Sequence, residues 1–357
     1  MTFAPEDLRA SVAAGILNEA QAASVTALAN ARAGKRAQMP AEDEPFEFFK
    51  GFSEIFVSIG LIILLSGIAA MLAWFGGVAL LSVLPLICAG ICWWWATYFT
   101  LKRRMNLPSM VLATAFGGGI YLSAFTILMQ ADLPLRGAVV ASFVLAALGM
   151  ALWYRRFRLP FSAFILGLFA LGALYTLTAS VDALGGFVGG SRAGLSGLFD
   201  LRTSPQFAFA TLGFGVACFL VGMWFDTRDP YRLGRHAATA FWLHLLAAPA
   251  LVNTVAVTLL NGGGMVMLAV ALVAITVLAL VIDRRSFLTA AIVYIALVIA
   301  WVVGDGGDYG SWTFILIVLG GLITALGTWW VPLRATVMRG LPNFPGKSSL
   351  PPYGSTE

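Results

Sequence analysis

The sequence predicts an all-α fold, a polytopic membrane helix bundle of about ten transmembrane helices with a small N-terminal cytoplasmic helical hairpin. The first observation behind this prediction is composition: of 357 residues, 60% are hydrophobic and only 11% are charged, whereas soluble domains carry about 25% charged residues. The second is that the apolar residues form long blocks, and the third is that basic residues recur in alternate connections between these blocks. Together, these observations exclude a soluble globular enzyme.

Residues 1–45 predict a helical hairpin followed by a polar linker. The apolar residues of the first segment form one stripe at a spacing of four, Leu8, Val12 and Ile16. Gly15 is of the type that ends a helix, and Asn18 precedes Gln21 by three residues, as in a capping box that begins a second helix. We expect residues 5–33 to form the hairpin and to offer a contact surface for a cytoplasmic protein partner.

Ten apolar blocks lie within residues 46–333, the predicted transmembrane domain. Each block is close to the length of about 20 residues that a helix needs to cross the hydrocarbon core. The predicted spans are residues 55–74, 78–99, 108–130, 137–154, 160–179, 206–225, 237–260, 265–282, 287–303 and 312–331. The long Gly-rich connection 180–205 is expected to be an outer connector or cover, and residues 334–357 a disordered cytoplasmic tail.

The basic residues predict the orientation of the bundle. Of the 22 Lys and Arg residues, all but Arg136, Arg192 and Arg202 precede span 1 or follow even-numbered spans. Cytoplasmic loops of membrane proteins carry this excess, so the number of spans is expected to be even and both termini cytoplasmic. The predicted location is the bacterial inner membrane, and the lipid bilayer, with anionic head groups facing the basic loops, is the expected partner. Nothing in the sequence predicts nucleic-acid binding.

Tryptophans provide a second indication of the span ends, because Trp favours the membrane–water interface. Those near predicted inner ends are Trp93, Trp94, Trp95, Trp153, Trp224, Trp329 and Trp330. We therefore expect these indoles to lie at the interface.

The span interiors lack the residues on which most membrane enzymes and ion-coupled carriers depend. No Lys, Arg, Asp or Glu lies in the middle of a predicted span, and such residues are rare in membranes unless function requires them. No zinc-protease, nucleotide-binding or serine-hydrolase motif is present. Cys88, Cys92 and Cys218 all lie in apolar blocks and predict packing. The sequence therefore predicts no enzymatic activity, no metal site and no cofactor.

Two spans carry candidate polar residues. Span 7 contains His244, Asn253 and Thr254, and span 3 contains Tyr121 and Gln130. One hypothesis is a polar cavity between these spans that binds a ligand or a proton. The alternative is that His244 is neutral and bonded to a neighbouring helix, since the sequence places no acidic residue beside it.

Prolines and glycines mark further candidate positions in the same part of the bundle. Pro85 in span 2 and Pro249 in span 7 each remove a backbone hydrogen bond and are expected to kink their helices. Gly117, Gly118 and Gly119 lie together in span 3. Small residues of this kind favour the close approach of another helix, and the alternative is an unwound segment that lines a substrate cavity.

The stretch LRASVAAGILNEAQ, from Leu8 to Gln21, resembles the hairpin that precedes the spans in a family of uncharacterised bacterial multi-pass inner-membrane proteins. The resemblance covers residues 5–75 and, by topology, the rest of the chain. It implies a bacterial inner-membrane location and many helices, and it supplies no catalytic or binding residues.

Three functions are compatible with these features. The first is a non-enzymatic scaffold or regulatory membrane component that uses the N-terminal hairpin as its cytoplasmic contact. The second is a carrier for a neutral or hydrophobic solute, built from two inverted halves of five helices. The third is an enzyme acting on lipid-linked substrates, for which the outer side offers only scattered carboxylates, Asp182, Asp200, Asp305 and Asp308.

Overall fold

The computed structural model describes residues 51–75, 78–180, 198–229, 235–262, 265–284 and 324–344, with single positions or short pieces within 7–28, 313–321 and 346–351. The described helices, numbered here in chain order, are α1 Phe52–Phe75, α2 Val78–Ala96, α3 Asn106–Gln130, α4 Leu135–Phe157, α5 Pro160–Thr178, α6 Pro205–Asp226, α7 Arg235–Asn261, α8 Met265–Ile282 and α9 Trp330–Gly340. A π-helical turn, Thr97–Lys102, continues α2. Every regular element in these ranges is helical.

Helices α1 to α7 are each long and apolar enough to cross a membrane, and α8 contributes a shorter apolar segment, Val266–Ile282. Large apolar side chains face outward on several of them; Ile63, Leu148 and Leu220, for example, are 58–66% exposed. An apolar outer surface of this extent marks a membrane-embedded bundle. The predicted span 287–303 and the acidic loop 304–310 lie outside the described residues, and the predicted span 312–331 is described only in part.

Contacts between helix ends show that the chain crosses the bundle alternately. At one end, the backbone N–H groups of Asn106 and Leu107 donate to Glu54 Oε2 over 3.0 and 3.3 Å. At the other end, Gln130 donates to the Ser82 hydroxyl, and Arg136 Nε donates to the Thr176 carbonyl over 2.8 Å. Basic residues are concentrated at the first end, which is called the basic end; among them are Lys102, Arg103, Arg104, Arg155, Arg156, Arg158 and Arg228.

The buried carboxylate of Glu54 links the first turn of α1 to α3. Glu54 is only 4% exposed, and its two backbone donors are the first N–H groups of α3. The N-terminus of a helix has unpaired N–H groups and a partial positive charge, so a carboxylate from another helix satisfies both. Glu54 therefore caps α3 from α1.

Helix packing is strongest within the pairs that are joined at the basic end. The pairs α2–α3, α4–α5 and α6–α7 share the most extensive contacts among the described helices, and α3 also packs along α4. By contrast, α1 touches α2 only lightly. Two inverted halves of five helices would require α1–α2 to pack as α6–α7 do. This packing does not show that correspondence.

Two glycines of the triplet in α3 lie in close helix contacts. A Cβ on Gly119 would lie 2.5 Å from the carbonyl oxygen of Pro85, which is inside α2. A Cβ on Gly117 would lie 2.6 Å from Cε2 of Phe169 on α5, whereas one on Gly118 would meet nothing within 4 Å. The triplet lies inside a continuous α-helix, Asn106–Gln130, so it serves close packing and is not unwound.

Trp153 and Trp330 are buried, contrary to the prediction that they lie at the membrane interface. They are 0% and 1% exposed. Trp153 packs in an aromatic cluster at the basic end, with ring centroids 5.7 Å from Trp93, 4.8 Å from Phe116 and 4.5 Å from Phe157. In contrast, Trp94, Trp224 and Trp329 are exposed. Position along a helix predicted the depth of these indoles but not the face on which they lie.

The described positions between residues 7 and 28 are helical on both sides of a turn at Gly15. Gly15 has a φ of +71°, and its N–H donates to the carbonyl of Val12 over 3.0 Å. A glycine in this left-handed conformation is a usual helix end. How the two segments pack lies outside the described residues, so the hairpin remains a prediction.

Candidate functional site

Three ionisable side chains meet in the interior at the basic end, and we call them the Asp226 centre: Asp226, His244 and Arg284. Arg284 Nε lies 3.0 Å from Asp226 Oδ2, and its Nη2 donates to Oδ1, so the guanidinium binds the carboxylate through two nitrogens. His244 Nε2 lies 3.0 Å from the same Oδ2. Since an ionised carboxylate only accepts hydrogen bonds, Nε2 carries a proton and donates.

The centre joins three helices and excludes solvent. Asp226 is 5% exposed, and His244 and Arg284 are both 0% exposed. Asp226 is the last residue of α6, His244 lies within α7, and Arg284 follows α8. Arg284 Nη2 also donates to the carbonyl of Ala237 over 3.0 Å. The three helices are therefore tied together at one end by hydrogen bonds between charged groups, which are stronger than neutral ones.

Local backbone geometry explains why a side chain beyond the end of α8 turns inward. Asp283 adopts a φ of +56°, the left-handed region that Asp tolerates better than most residues. The N–H of Arg284 then donates to the carbonyl of Ala279 over 3.0 Å, the six-to-one bond of a Schellman helix end. The turn directs Arg284 back into the bundle, where its carboxylate partner lies.

A second buried group adjoins the Asp226 centre, and we call it the Asp283 cluster: Asp283, Trp330 and Arg334. Trp330 Nε1 donates to Asp283 Oδ1 over 2.8 Å, and Arg334 Nε lies 3.5 Å from the same oxygen. Arg334 also donates to the carbonyl oxygens of Leu280 and Pro351. Because Asp283 and Arg284 are adjacent in the chain, the two groups connect α6, α7, α8, α9 and the segment at Pro351.

The interpretation of His244 as a histidine without an acidic partner is wrong. Asp226 lies just beyond the predicted span 206–225, and Arg284 and Arg334 were assigned to the basic connections that follow spans 8 and 10. The structure folds all three side chains into the interior, where Arg334 is 2% exposed. Buried charge is therefore present at this end of the bundle, although none of it lies in the middle of a predicted span.

The other candidate polar residues lie elsewhere in the bundle. Asn253 and Thr254 lie about two and a half turns along α7 from His244, and the Thr254 hydroxyl donates to the carbonyl of Ala250 over 2.9 Å. Tyr121 packs against Phe143, with ring centroids 4.6 Å apart. Gln130 lies at the opposite end from the Asp226 centre. Helix α5 packs against both α3 and α7, so the polar side chains of spans 3 and 7 are not brought together.

The described residues of this site do not form a set of metal ligands. In the described ranges no group of three or more His, Cys, Asp or Glu side chains is placed to hold a metal ion. Cys88, Cys92 and Cys218 are free, and Cys92 and Cys218 are buried. The chemistry available at the Asp226 centre is therefore hydrogen bonding, charge pairing and proton exchange at an imidazole.

Comparisons with protein-family models, with curated proteins and with solved structures found no match for this chain.

Proposed function

We propose that this chain is a non-enzymatic regulatory or scaffold component of a membrane, and that the Asp226 centre is the element through which it responds to pH. The observation that carries this proposal is the buried contact between His244 Nε2 and Asp226 Oδ2. Histidine is the side chain whose ordinary charge change falls between about pH 5 and 8. A change of charge on a fully buried side chain changes the energy of its interactions with each of its partners.

The partners of His244 make this response directional. Among the described residues, Asp226 from α6 is the charged group that faces its ring, and Arg284 from the end of α8 binds the other side of that carboxylate. The ring of His244 also packs against Phe219 of α6, with ring centroids 5.5 Å apart, and α7 presents the apolar Trp242 toward Phe161 and Phe164 of α5. A proton gained by His244 must therefore be balanced through Asp226, in competition with Arg284.

The Asp283 cluster gives the response an output. Arg284 is adjacent in the chain to Asp283, whose carboxylate contacts Trp330 and Arg334. Arg334 in turn donates to the carbonyl of Pro351. A shift of Arg284 toward or away from Asp226 therefore changes the support of α9 and of the segment near Pro351. In this proposal, the basic end faces the cytoplasm. The segment near Pro351 and the N-terminal hairpin, residues 5–33, form the surface that a protein partner binds.

Hydrogen exchange of the full-length protein in lipid nanodiscs, measured on residues 330–351 between pH 5 and 8, tests the response. Rates are compared as protection factors, because the intrinsic exchange of an amide itself changes with pH, and the pH dependence of exchange refers to these factors. The chain has only two histidines, which provides a matched control. His244→Gln is expected to remove the pH dependence of exchange, since glutamine can donate to Asp226 without titrating. His236→Gln alters an exposed ring stacked on Phe225 and should leave it intact. Unaltered pH dependence in His244→Gln would contradict the proposal.

The scaffold role requires a protein contact. Affinity purification with the intact protein and with a chain lacking residues 5–33 compares the proteins that each retains. We expect a partner that is lost with the deletion, together with a growth or membrane phenotype. Equal recovery of all proteins by both chains, with no phenotype on deletion, would count against the scaffold.

The wider architecture in this proposal is a bundle of ten spans with both termini in the cytoplasm, in a bacterial inner membrane. The sorting of the Lys and Arg residues supports the orientation. The alternating helices α1 to α8 support an up-and-down course through the bilayer. The location follows from the resemblance of the N-terminal stretch. Fusing to the C-terminus a reporter that is active only in the cytoplasm tests the orientation: a fusion protein that is produced and inserted but shows no reporter activity would overturn it.

A carrier for a neutral or hydrophobic solute is the second candidate, and one observation favours it. His244 lies about 13 Å along α7 from Arg235, so an ionisable group reaches well into the inner part of the bundle, as in proton-linked carriers. Proteoliposome uptake of a panel of radiolabelled neutral solutes, with and without a pH gradient, tests this function. Gradient-driven uptake that His244→Ala abolishes would support it, and no uptake of any solute would exclude it for that panel.

A further inference from the structure

A cavity of about 490 Å³ lies at the basic end, on the side of the bundle formed by α1, α2 and the π-helical turn. We call it the aromatic cavity. Its lining consists of Leu61 on α1 and of six residues from the end of α2 and the π-helical turn: Trp94, Trp95, Thr97, Tyr98, Phe99 and Lys102. The volume is in the range of known ligand pockets, roughly 300–1,000 Å³. This cavity is separate from the Asp226 centre, which lies among α6, α7 and α8.

The lining is graded from apolar to cationic along the helix axis. Leu61 is buried and lies about 13 Å along α1 from its first residue at the basic end, and Trp95 precedes the π-helical turn by two residues. Lys102 closes that turn at the basic end and is exposed. Between them, Thr97 and Tyr98 add hydroxyl groups. The cavity thus offers apolar walls at membrane depth and a cation at the level of the head groups.

The neighbouring Arg103 already has a partner, whereas Lys102 has no ion-pair partner among the described residues. Arg103 Nε donates to the Tyr98 hydroxyl over 2.9 Å, and its guanidinium lies 5.7 Å from the centroid of that ring. In the described part of the chain, Lys102 has no carboxylate within ion-pair distance. The π-helical turn that places Lys102 is a rare backbone form, and such turns are frequent at functional sites. Among the described residues, no anion complements Lys102 at this end of the cavity.

We propose that the aromatic cavity binds one anionic glycerophospholipid from the surrounding bilayer. One acyl chain packs against Leu61, Trp95 and Phe99, and the phosphate lies beside Lys102, within reach of the Tyr98 hydroxyl. Both requirements come from the same membrane molecule: an apolar tail at membrane depth and a negative charge at the interface. A free phosphate would satisfy only Lys102, and a neutral lipid only the apolar walls.

Native mass spectrometry of the full-length protein, released from nanodiscs of equal parts phosphatidylglycerol and phosphatidylcholine, tests the binding. The intact protein is expected to retain one phosphatidylglycerol in preference to phosphatidylcholine. Lys102→Ala should reduce this preference by about fivefold, the effect of one basic residue near a membrane surface. Leu61→Trp, which places a larger side chain at the apolar end of the cavity, should reduce retention of both lipids while Lys102 is still present.

Arg228→Ala is the matched control, because Arg228 is also an exposed basic residue beside an exposed tryptophan, Trp224, 3.6 Å from its ring centroid. It does not line the aromatic cavity. An equal loss in Lys102→Ala and Arg228→Ala would mean that lipid retention reflects the general charge of this end, and would overturn the proposal. So would full retention by Leu61→Trp, for example because another segment of the chain occupies the cavity. Melting temperatures close to that of the intact protein establish that each variant is folded. If Leu61→Trp does not fold, Lys102→Ala alone tests the preference for the anionic lipid.

Discussion

Gly222 on α6 lies directly against the imidazole of His244 on α7. A Cβ at position 222 would lie 2.9 Å from Cε1 and 3.0 Å from Nε2 of that ring, closer than carbon and nitrogen atoms pack. Gly222 precedes Asp226 by one helical turn, so both residues lie on the same face of α6. The absence of a side chain at one position thus makes room for the ring that bonds the carboxylate at the other.

Gly222→Ala is therefore expected to displace His244 from Asp226. Overpacking of a filled interior costs about 1–3 kcal/mol, which should appear as a lower melting temperature of the purified protein. The same variant should weaken the pH dependence of exchange near Pro351, because His244 no longer reaches the carboxylate.

Gly213→Ala is the control on the same helix. Gly213 is exposed, and a Cβ there would meet nothing within 4 Å. Its melting temperature should equal or exceed that of the intact protein, since alanine favours the helical backbone over glycine. If both variants melted at the same temperature, the close contact between Gly222 and His244 would not affect stability.

The apolar blocks predicted α1 to α8 to within a few residues, because a helix that crosses a membrane must be long and continuously apolar. Span 3, placed at 108–130, is α3, Asn106–Gln130, and span 5, placed at 160–179, is α5, Pro160–Thr178. The close packing of Gly117 and Gly119 was also among the expectations. These features depend on local composition, which a single sequence displays.

The Asp226 centre was not predicted, because its members are far apart in the chain and each lies at a helix end. Asp226 and Arg284 are separated by two helices, and in the sequence each looks like one more charge in a loop. Hydropathy reports the depth of a residue but not the direction of its side chain. The sequence contained one local indication of this centre. Gly222 and Asp226 are one turn apart on α6, so a small residue and a carboxylate lie on the same face.

The triplet in α3 allows three identical substitutions at adjacent positions to be compared. Gly119→Ala is expected to destabilise most, because its Cβ would press on the backbone carbonyl of Pro85, which cannot rotate away. Gly117→Ala should have a smaller effect, since the ring of Phe169 can move. Gly118→Ala should have none. Melting temperatures in one detergent rank the three variants, and a loss in Gly118→Ala equal to that in Gly119→Ala would refute helix contact as the cause.

The cap that Glu54 provides for α3 predicts a loss of stability in Glu54→Ala. Removing a side chain that accepts from the first N–H groups of a helix costs about 0.5–2 kcal/mol, and Glu54 is buried, so water does not readily replace it. Glu54→Gln retains one acceptor oxygen and should lie between Glu54→Ala and the intact protein. Thermal unfolding measures both; equal melting temperatures for all three proteins would mean that the bonds to Asn106 and Leu107 contribute nothing.

The pair of Asp226 and Arg284 distinguishes a stabilising role from a functional one. Asp226→Leu leaves a buried guanidinium without its carboxylate, and Arg284→Met leaves the carboxylate with His244 alone. Each single change is expected to cost about 3–5 kcal/mol, whereas replacing both partners by apolar side chains is often neutral or stabilising. The double variant should therefore melt above either single variant, as measured on the purified proteins under one set of conditions.

The double variant should nevertheless lose the pH dependence of exchange near Pro351, because the carboxylate that His244 contacts has been removed. A protein that is as stable as the intact one but does not respond to pH would separate the two roles. Additive losses in the double variant would show instead that Asp226 and Arg284 do not act as a pair. A stable double variant that still responded to pH would place the response outside the Asp226 centre.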